Sequence, residues 1–250
     1  MDFDFSGLGL ARGDGVVVTG AASGIGRATA RLAAQSGLTV IGWDMAAEAL
    51  EVVVADIVAS GGRAHAVVCD VSDQASIDQA WDRAVALGRI PYLVNNAGPP
   101  SGTDVPLVEG MRLSVGSMAA VTEAWLARVG DDASSVTFTS SVAGNFTSSS
   151  AATAMWYPVG KTAIATYTRE LAVQRRGRPR ANAVAPSLVE TPRMAHMLAA
   201  ATSEEALRRL PLGRIAQPED VAACICFLLS PAASFVNGIL LPVDGASMWV

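Results

Sequence analysis

The sequence predicts a single α/β domain, a doubly wound sheet of about seven mainly parallel strands flanked by helices. Three observations predict it. Short β-branched runs alternate with helical segments along the whole chain, and parallel strands need such helical crossovers. A glycine-rich turn joins the first strand to the first helix. No repeat, low-complexity tract or linker divides the 250 residues, so residues 1–250 read as one domain.

The elements follow in order. "GVVVTG" at 15–20 is a buried strand ending in glycine, and "GRATARLAAQSG" is a helix with a glycine stop. "TVIGWD" at 39–44 is the second strand, and "MAAEALEVVVADIVASGG" is a helix closed by Gly-Gly. "AHAVVCDVSD" is the third strand, after which Ser72 or Asp73 caps the helix "QASIDQAWDRAVALG". "PYLVNNAG" is the fourth strand, followed by a weaker stretch and the helix "SVGSMAAVTEAWLARV". "SSVTFTSS" is the fifth strand, "KTAIATYTRELAVQR" a long helix, and "RANAVAPS" the sixth strand. Residues 192–213 form a helical insert on the substrate side. "QPEDVAACICFLLS" is a helix opened by Pro218 and acidic residues, and "GILLPVDG" is the seventh strand.

Composition narrows the function. A net charge of −5 argues against nucleic acid, and the local cluster "RRGRPR" at 175–180 reads as a solvated helix end or loop. Cys69, Cys224 and Cys226 are odd in number with no paired spacing, which fits a reducing cytoplasm. His65 and His196 are isolated, so no metal site is expected. The start "MDFDF" lacks the basic residues of a signal peptide. The most apolar run, "AACICFLLSPAA", is cut by Pro231, so no membrane span is expected.

"TGAASGIG" at 19–26 carries the first chemical signal. Gly20, Gly24 and Gly26 permit a tight turn and let a pyrophosphate approach the backbone. The helix N-terminus then offers free N–H groups and the positive end of its dipole. Asp44, at the end of the second strand, stands where a carboxylate bonds both ribose hydroxyls and repels a 2′-phosphate. Ser23 offers no positive charge there. Together they favour NAD over NADP.

"WYPVGK" at 156–161 carries the second. Tyr157 and Lys161, four apart, share one helix face. A phenol is a poor base at neutral pH, but a neighbouring ammonium and a positively charged nicotinamide both favour its phenolate. Tyr157 can then exchange a proton with an alcohol or carbonyl oxygen. Pro158 suits a first helical turn and restricts the residue before it, so the helix starts close to Tyr157 or the tyrosine is strained.

With these residues in place, the chain resembles the short-chain dehydrogenases/reductases over nearly its whole length. The motifs stand in family order: "TGAASGIG", Asp70-Val71, "NNAG" at 95–98, Ser141 in "SSVAG", Tyr157-x-x-x-Lys161, "NAVAPS" with Thr191, and "VDGA". The resemblance implies a Rossmann-type fold and a catalytic set of Ser141, Tyr157 and Lys161. In it Lys161 also bonds the nicotinamide ribose and Ser141 holds the substrate oxygen; Ser140 is the neighbouring competitor. It implies cofactor contacts at Gly20, Ser23, Gly24, Ile25, Gly26, Asp44 and Met45. Asp70 and Val71 would meet adenine. Asn96, Ala97 and Gly98 would line the cofactor backbone, with "NNAG" also bracing the sheet. Pro186, Val189 and Thr191 would hold the nicotinamide amide. The family's usual homotetramer implies a tetramer or dimer here, consistent with the apolar ending "GILLPVDGASMWV".

The pattern breaks in several places. Ser114 stands where the family has a fourth catalytic residue, an asparagine that holds a relay water behind the lysine. A serine has shorter reach and fewer partners, which puts that relay in question. The segment after Gly98 is shorter than usual by about a turn and a half of helix. The Ser141-to-Tyr157 stretch is slightly longer. Ser187 and Ala246 replace glycines. Phe146, Met155, Trp156, Met194 and Met197 are expected to edge the pocket, with no arginine or lysine to clamp a phosphate or carboxylate.

The expected activity is interconversion of an apolar secondary alcohol and a ketone, on a cyclic, aryl or steroid-like substrate. A reductase or dehydrogenase for carrier-bound 3-oxoacyl or CoA-bound 3-hydroxyacyl chains is the second reading. A weakly catalytic cofactor-binding scaffold is the third.

Overall fold

The computed structural model describes residues 8–129, 134–147, 153–195, 207–208 and 210–249. Among the described residues seven strands are present: β1 (Gly15–Thr19), β2 (Thr39–Asp44), β3 (Arg63–Val68), β4 (Tyr92–Asn95), β5 (Ser135–Thr139), β6 (Arg180–Pro186) and β7 (Leu240–Val243). They form one sheet in the order β3-β2-β1-β4-β5-β6-β7, and every neighbouring pair is parallel.

The helices are α1 (Gly24–Gln35), α2 (Ala47–Ala59), α3 (Gln74–Val85), α4 (Leu107–Met111), α5 (Ser117–Val129), α6 (Trp156–Gln174) and α7 (Pro218–Leu229). They cover both faces of the sheet, and strand alternation divides the core between them. Val16 and Val18 of β1 pack with Ala30, Leu32 and Ile225 of α1 and α7 on one side. Val17, between them, packs with Trp81, Val121 and Ile164 of α3, α5 and α6 on the other. A fully buried Val, Leu or Ile contributes about 1.5–3 kcal/mol, so this two-faced burial is what holds the sheet between its helices.

The chain winds outward from β1 in both directions. It runs β1 to β3 one way, then returns to place β4 on the other side of β1. The crevice between the carboxyl ends of β1 and β4 is therefore the switch point at which such sheets bind ligands. Gly20 follows β1 there and Asn96 follows β4.

Local structure refines the sequence expectations. Asp73, not Ser72, caps α3 by accepting from the Ser76 amide. Helical structure begins at Leu107 rather than at 114, and a π turn (Arg112–Gly116) links α4 to α5. The missing Cβ of Gly110 explains the seat of α4: a Cβ there would lie 2.2 Å from Cγ of Trp156. In "RRGRPR", Arg180 is half-buried and donates to the carbonyls of Leu228, Leu229, Ser230 and Val236. It closes the end of α7 rather than facing a partner, because the last carbonyls of a helix need donors. No helix among the described residues is long and apolar enough to cross a membrane.

Candidate active site

The glycine turn packs more tightly than any side chain would allow. A Cβ on Gly26 would lie 2.0 Å from the Gly20 carbonyl oxygen, and one on Gly20 would lie 3.2 Å from Cα of Ala97. One on Gly24 would lie 3.1 Å from Cγ2 of Thr191. The turn therefore brings bare backbone against the "NNAG" segment and the loop after β6, with the N-terminus of α1 behind it. The N-cap residue Ser23 makes no side-chain cap, so the first amides of α1 stay free for an anion.

Asp44 is fixed at the end of β2. Its Oδ2 accepts from the Ala22 amide of the turn and its Oδ1 from the Ala46 amide, both at 3.0 Å. Each carboxylate oxygen keeps a further acceptor site. Asn96 braces the sheet across the same crevice: its amide and that of Ala97 donate to Thr19 Oγ1, its Nδ2 donates to the Thr19 carbonyl, and its Oδ1 accepts from Thr139. These donors, acceptors and bare backbone fit a dinucleotide.

Beyond β5 lie the residues expected to form the acid–base set. Helix α6 begins at Trp156, so Tyr157 and Pro158 fall in its first turn, where the missing proline N–H costs nothing. Tyr157 and Lys161 share one face, with the Lys161 Nζ 5.5 Å from the Tyr157 ring centroid. The ammonium donates to the Thr139 carbonyl at 2.8 Å. The two serines divide: Ser140 donates to the Lys161 carbonyl at 2.7 Å, whereas the Ser141 hydroxyl acts on the Tyr157 phenol. Ser140 thus braces α6, and Ser141 is the serine that meets the tyrosine.

Burial dominates the electrostatics. It pushes the Tyr157 phenol above its ordinary value, and Ser141 and Arg193 pull it back only in part. Burial also pulls Lys161 down to about 8, with the like charge of Arg193 adding to it. The sequence expectation that the lysine favours the phenolate therefore gives way to desolvation: in the protein alone the phenol is held protonated.

One cavity of about 610 Å³ joins the two halves. Gly20, Ser23, Gly24, Ile25, Asp44, Asn96, Ala97 and Gly98 line it, as do Ser141, Tyr157, Lys161, Pro186, Val189 and Thr191. Gly26, Met45, Asp70, Val71 and Ser114 do not. Asp70 accepts from both the amide and the hydroxyl of Ser72, shaping the turn before α3. Ser114 is buried at the π turn and donates to the Gly110 carbonyl, an i−4 bond internal to the helix.

The substrate side departs from expectation. Phe146 and Met155 are exposed away from the cavity, and Trp156 is buried beneath α4 with its Nε1 donating to the Thr103 carbonyl. Of the five residues expected at the edge, Met194 lines the cavity, and Met197 lies outside the described residues. Much of the 192–213 segment lies outside them too. Ser101, Thr147, Thr153, Ser187, Leu188 and Met248 stand in the wall instead. So does Arg193, against the expectation of a wall without a cation. Its neighbours Thr191 and Met194 were legible in the sequence, but nothing local says which way a loop arginine turns.

The chain is similar to known proteins along nearly its whole length. The family described as enoyl-(acyl carrier protein) reductase matches residues 20–246. The chain belongs to the short-chain dehydrogenase/reductase family. A relative in this family, cis-4-hydroxycyclohexanecarboxylate dehydrogenase of Sinomonas cyclohexanicum, is 39% identical over 243 residues, covering 92% of this chain and 94% of that protein. The 3-oxoacyl-[acyl-carrier-protein] reductase FabG of Thermotoga maritima is 35% identical over 240 residues, covering 92% and 95%. A 7α-hydroxysteroid dehydrogenase, solved with NADH and 7-oxo glycochenodeoxycholic acid, matches with a TM-score of 0.84 at 29% identity, covering 98% of this chain and 97% of that one. As a short-chain dehydrogenase/reductase, the protein is an alcohol–ketone oxidoreductase that works with a nicotinamide cofactor.

Proposed function

We propose that the protein oxidises a cyclic or aryl secondary alcohol to its ketone, or reduces that ketone, with NAD(H). The observation that carries this reading is the meeting of Ser141, Tyr157 and Lys161 in one cavity with the bare glycine turn and Asp44. Gly20, Gly24 and the α1 amides hold the diphosphate in this reading, Asp44 the adenosine ribose, and Asn96, Lys161 and Thr191 the nicotinamide end. The nicotinamide ring, when bound, supplies the hydride acceptor for oxidation and the donor for reduction.

The residues of the chain manage the proton. Ser141 donates to the substrate oxygen and orients it. In reduction Tyr157 gives its phenolic proton to the carbonyl oxygen as the C–H bond forms. In oxidation the Tyr157 phenolate takes the hydroxyl proton as that bond breaks. The protonated Lys161 offsets the phenolate charge. Pro99, Val142, Leu188 and Met194 give the wall its apolar part.

Asp44 supports NAD over NADP, since a carboxylate repels a 2′-phosphate. Exposed Val173, Phe235 and Trp249 support association into a dimer or tetramer. A second reading, reduction of a carrier-bound or CoA-bound 3-oxoacyl chain, is favoured by the likeness to the FabG protein.

The test is NADH formation on a panel of cyclic, aryl and steroid alcohols and 3-hydroxyacyl thioesters, with NAD and NADP in parallel. The proposal expects turnover on a ring alcohol with NAD. Faster turnover of the thioesters replaces it with the second reading. NADH binding without turnover on any substrate overturns both.

A further inference from the structure

Among the described residues, two cationic side chains stand in the cavity wall, Lys161 and Arg193. They differ in commitment. Lys161 is half-buried and its ammonium is held by the Thr139 carbonyl. Arg193 is exposed towards the cavity and donates through Nη1 to the Gly98 carbonyl at 3.1 Å. A guanidinium has five N–H donors, so most of its hydrogen-bonding capacity is unspent. No carboxylate of the described residues pairs with it. The carboxylate in the wall, Asp44, is tied to the Ala22 and Ala46 amides at the adenosine end.

The backbone beneath Arg193 is anchored. Val189 bridges to Ala216, and the Glu190 amide donates to the Ala216 carbonyl at 2.8 Å. Thr191 lies against Gly24, and Pro192 opens a short 3-10 turn that the Met194 amide closes on the Thr191 carbonyl. The guanidinium is also near the chemistry, since its charge acts on both Tyr157 and Lys161. A cation so placed disfavours its like-charged neighbour, and an anion bound beside it would remove that cost. The diphosphate of a cofactor already has the glycine turn and the α1 amides.

The geometry points to Arg193 as a clamp for a carboxylate on the substrate, which makes the preferred substrate a ring alcohol bearing an acid group. This rests on the proposed alcohol–ketone activity. The carboxylate pairs with the guanidinium, two N–H groups to two oxygens, while the hydroxyl meets Ser141 and Tyr157.

The experiment compares 4-hydroxycyclohexanecarboxylate with its methyl ester in the full-length protein and in Arg193→Gln and Arg193→Lys. The wild type should prefer the acid. The ratio of kcat/KM for acid over ester should fall about 10- to 100-fold in Arg193→Gln, as loss of a charged hydrogen-bonded pair predicts. Arg193→Lys should recover part of it. An unchanged ratio overturns the clamp. So does a matching rise in the NADH Kd, which would assign Arg193 to the cofactor. Should no alcohol turn over, the alcohol–ketone reading fails separately. Calorimetric binding of 4-hydroxycyclohexanecarboxylate in the presence of NADH then decides the clamp: binding lost in Arg193→Gln sustains it, and equal binding or none in the wild type overturns it.

Discussion

The Lys161 ammonium donates to the Thr139 carbonyl at 2.8 Å, in surroundings that pull its pKa from 10.5 down to about 8. The proton is held more tightly by the unfolded chain, so this cation costs stability at neutral pH. The cost is full below pH 8, shrinks as pH rises towards 10.5, and is absent above it. At about 1.4 kcal/mol per unit it is on the order of 3–4 kcal/mol, about 2 kcal/mol of which the Thr139 bond offsets. Lys161→Met should therefore abolish turnover and yet raise Tm at pH 7 by about 2–8 °C, at about 2–4 °C per kcal/mol. The gain over wild type should narrow between pH 8 and 10.5. Calorimetric melts across that range check it, and a gap independent of pH sinks the argument.

In the proposed mechanism Tyr157 sets the direction of the pH profile. Burial raises its pKa, so the phenol persists through neutral pH. Ketone reduction, which needs the phenol, should be retained at pH 6–8, and alcohol oxidation, which needs the phenolate, should climb with pH. Tyr157→Phe should lower kcat by about 10²- to 10⁴-fold in both directions, the usual worth of a positioned acid or base. Steady-state rates from pH 6 to 10 test both points. A variant that keeps a tenth of wild-type kcat would assign the proton transfer elsewhere.

Asp44 ties two amides and faces the cavity. Asp44→Ser removes the charge that repels a 2′-phosphate and the acceptors for the ribose. The ratio of kcat/KM with NAD to that with NADP should fall about 10- to 100-fold, the worth of a charged hydrogen bond. A variant with unchanged preference would place cofactor choice at another residue.

Ala246 sits at φ 65°, in the left-handed region, just before the cavity residues Ser247 and Met248. The Cβ makes this conformation costly. Ala246→Gly should stabilise the protein by about 1 kcal/mol, and urea melts at constant m-value measure it. Destabilisation would show that the Cβ makes a contact worth more than the strain.

Local pattern made much of this protein legible. The alternation of β-branched runs with helices specified the parallel sheet, because strand and helix periods are written along the chain. The glycines of 20–26 announced a bare backbone turn, and the four-residue spacing of Tyr157 and Lys161 put them on one face. Those signals need no knowledge of what packs opposite.

The substrate wall was another matter. Trp156 sits beside Tyr157 in sequence, yet it turns under α4 because Gly110 leaves the space for it. The family pattern already singled out Ser141 from its neighbour Ser140, and only the packing against α6 shows what Ser140 does instead, which is to brace the helix through the Lys161 carbonyl. Arg193 lines the cavity from a loop that rests, through Thr191, on Gly24, more than 160 residues earlier. The sequence by itself determined the sheet, the glycine turn and the tyrosine–lysine pair, since each is a matter of spacing within or between adjoining elements. The tertiary structure alone decided which loop side chains line the cavity, since that depends on packing between elements far apart in the chain.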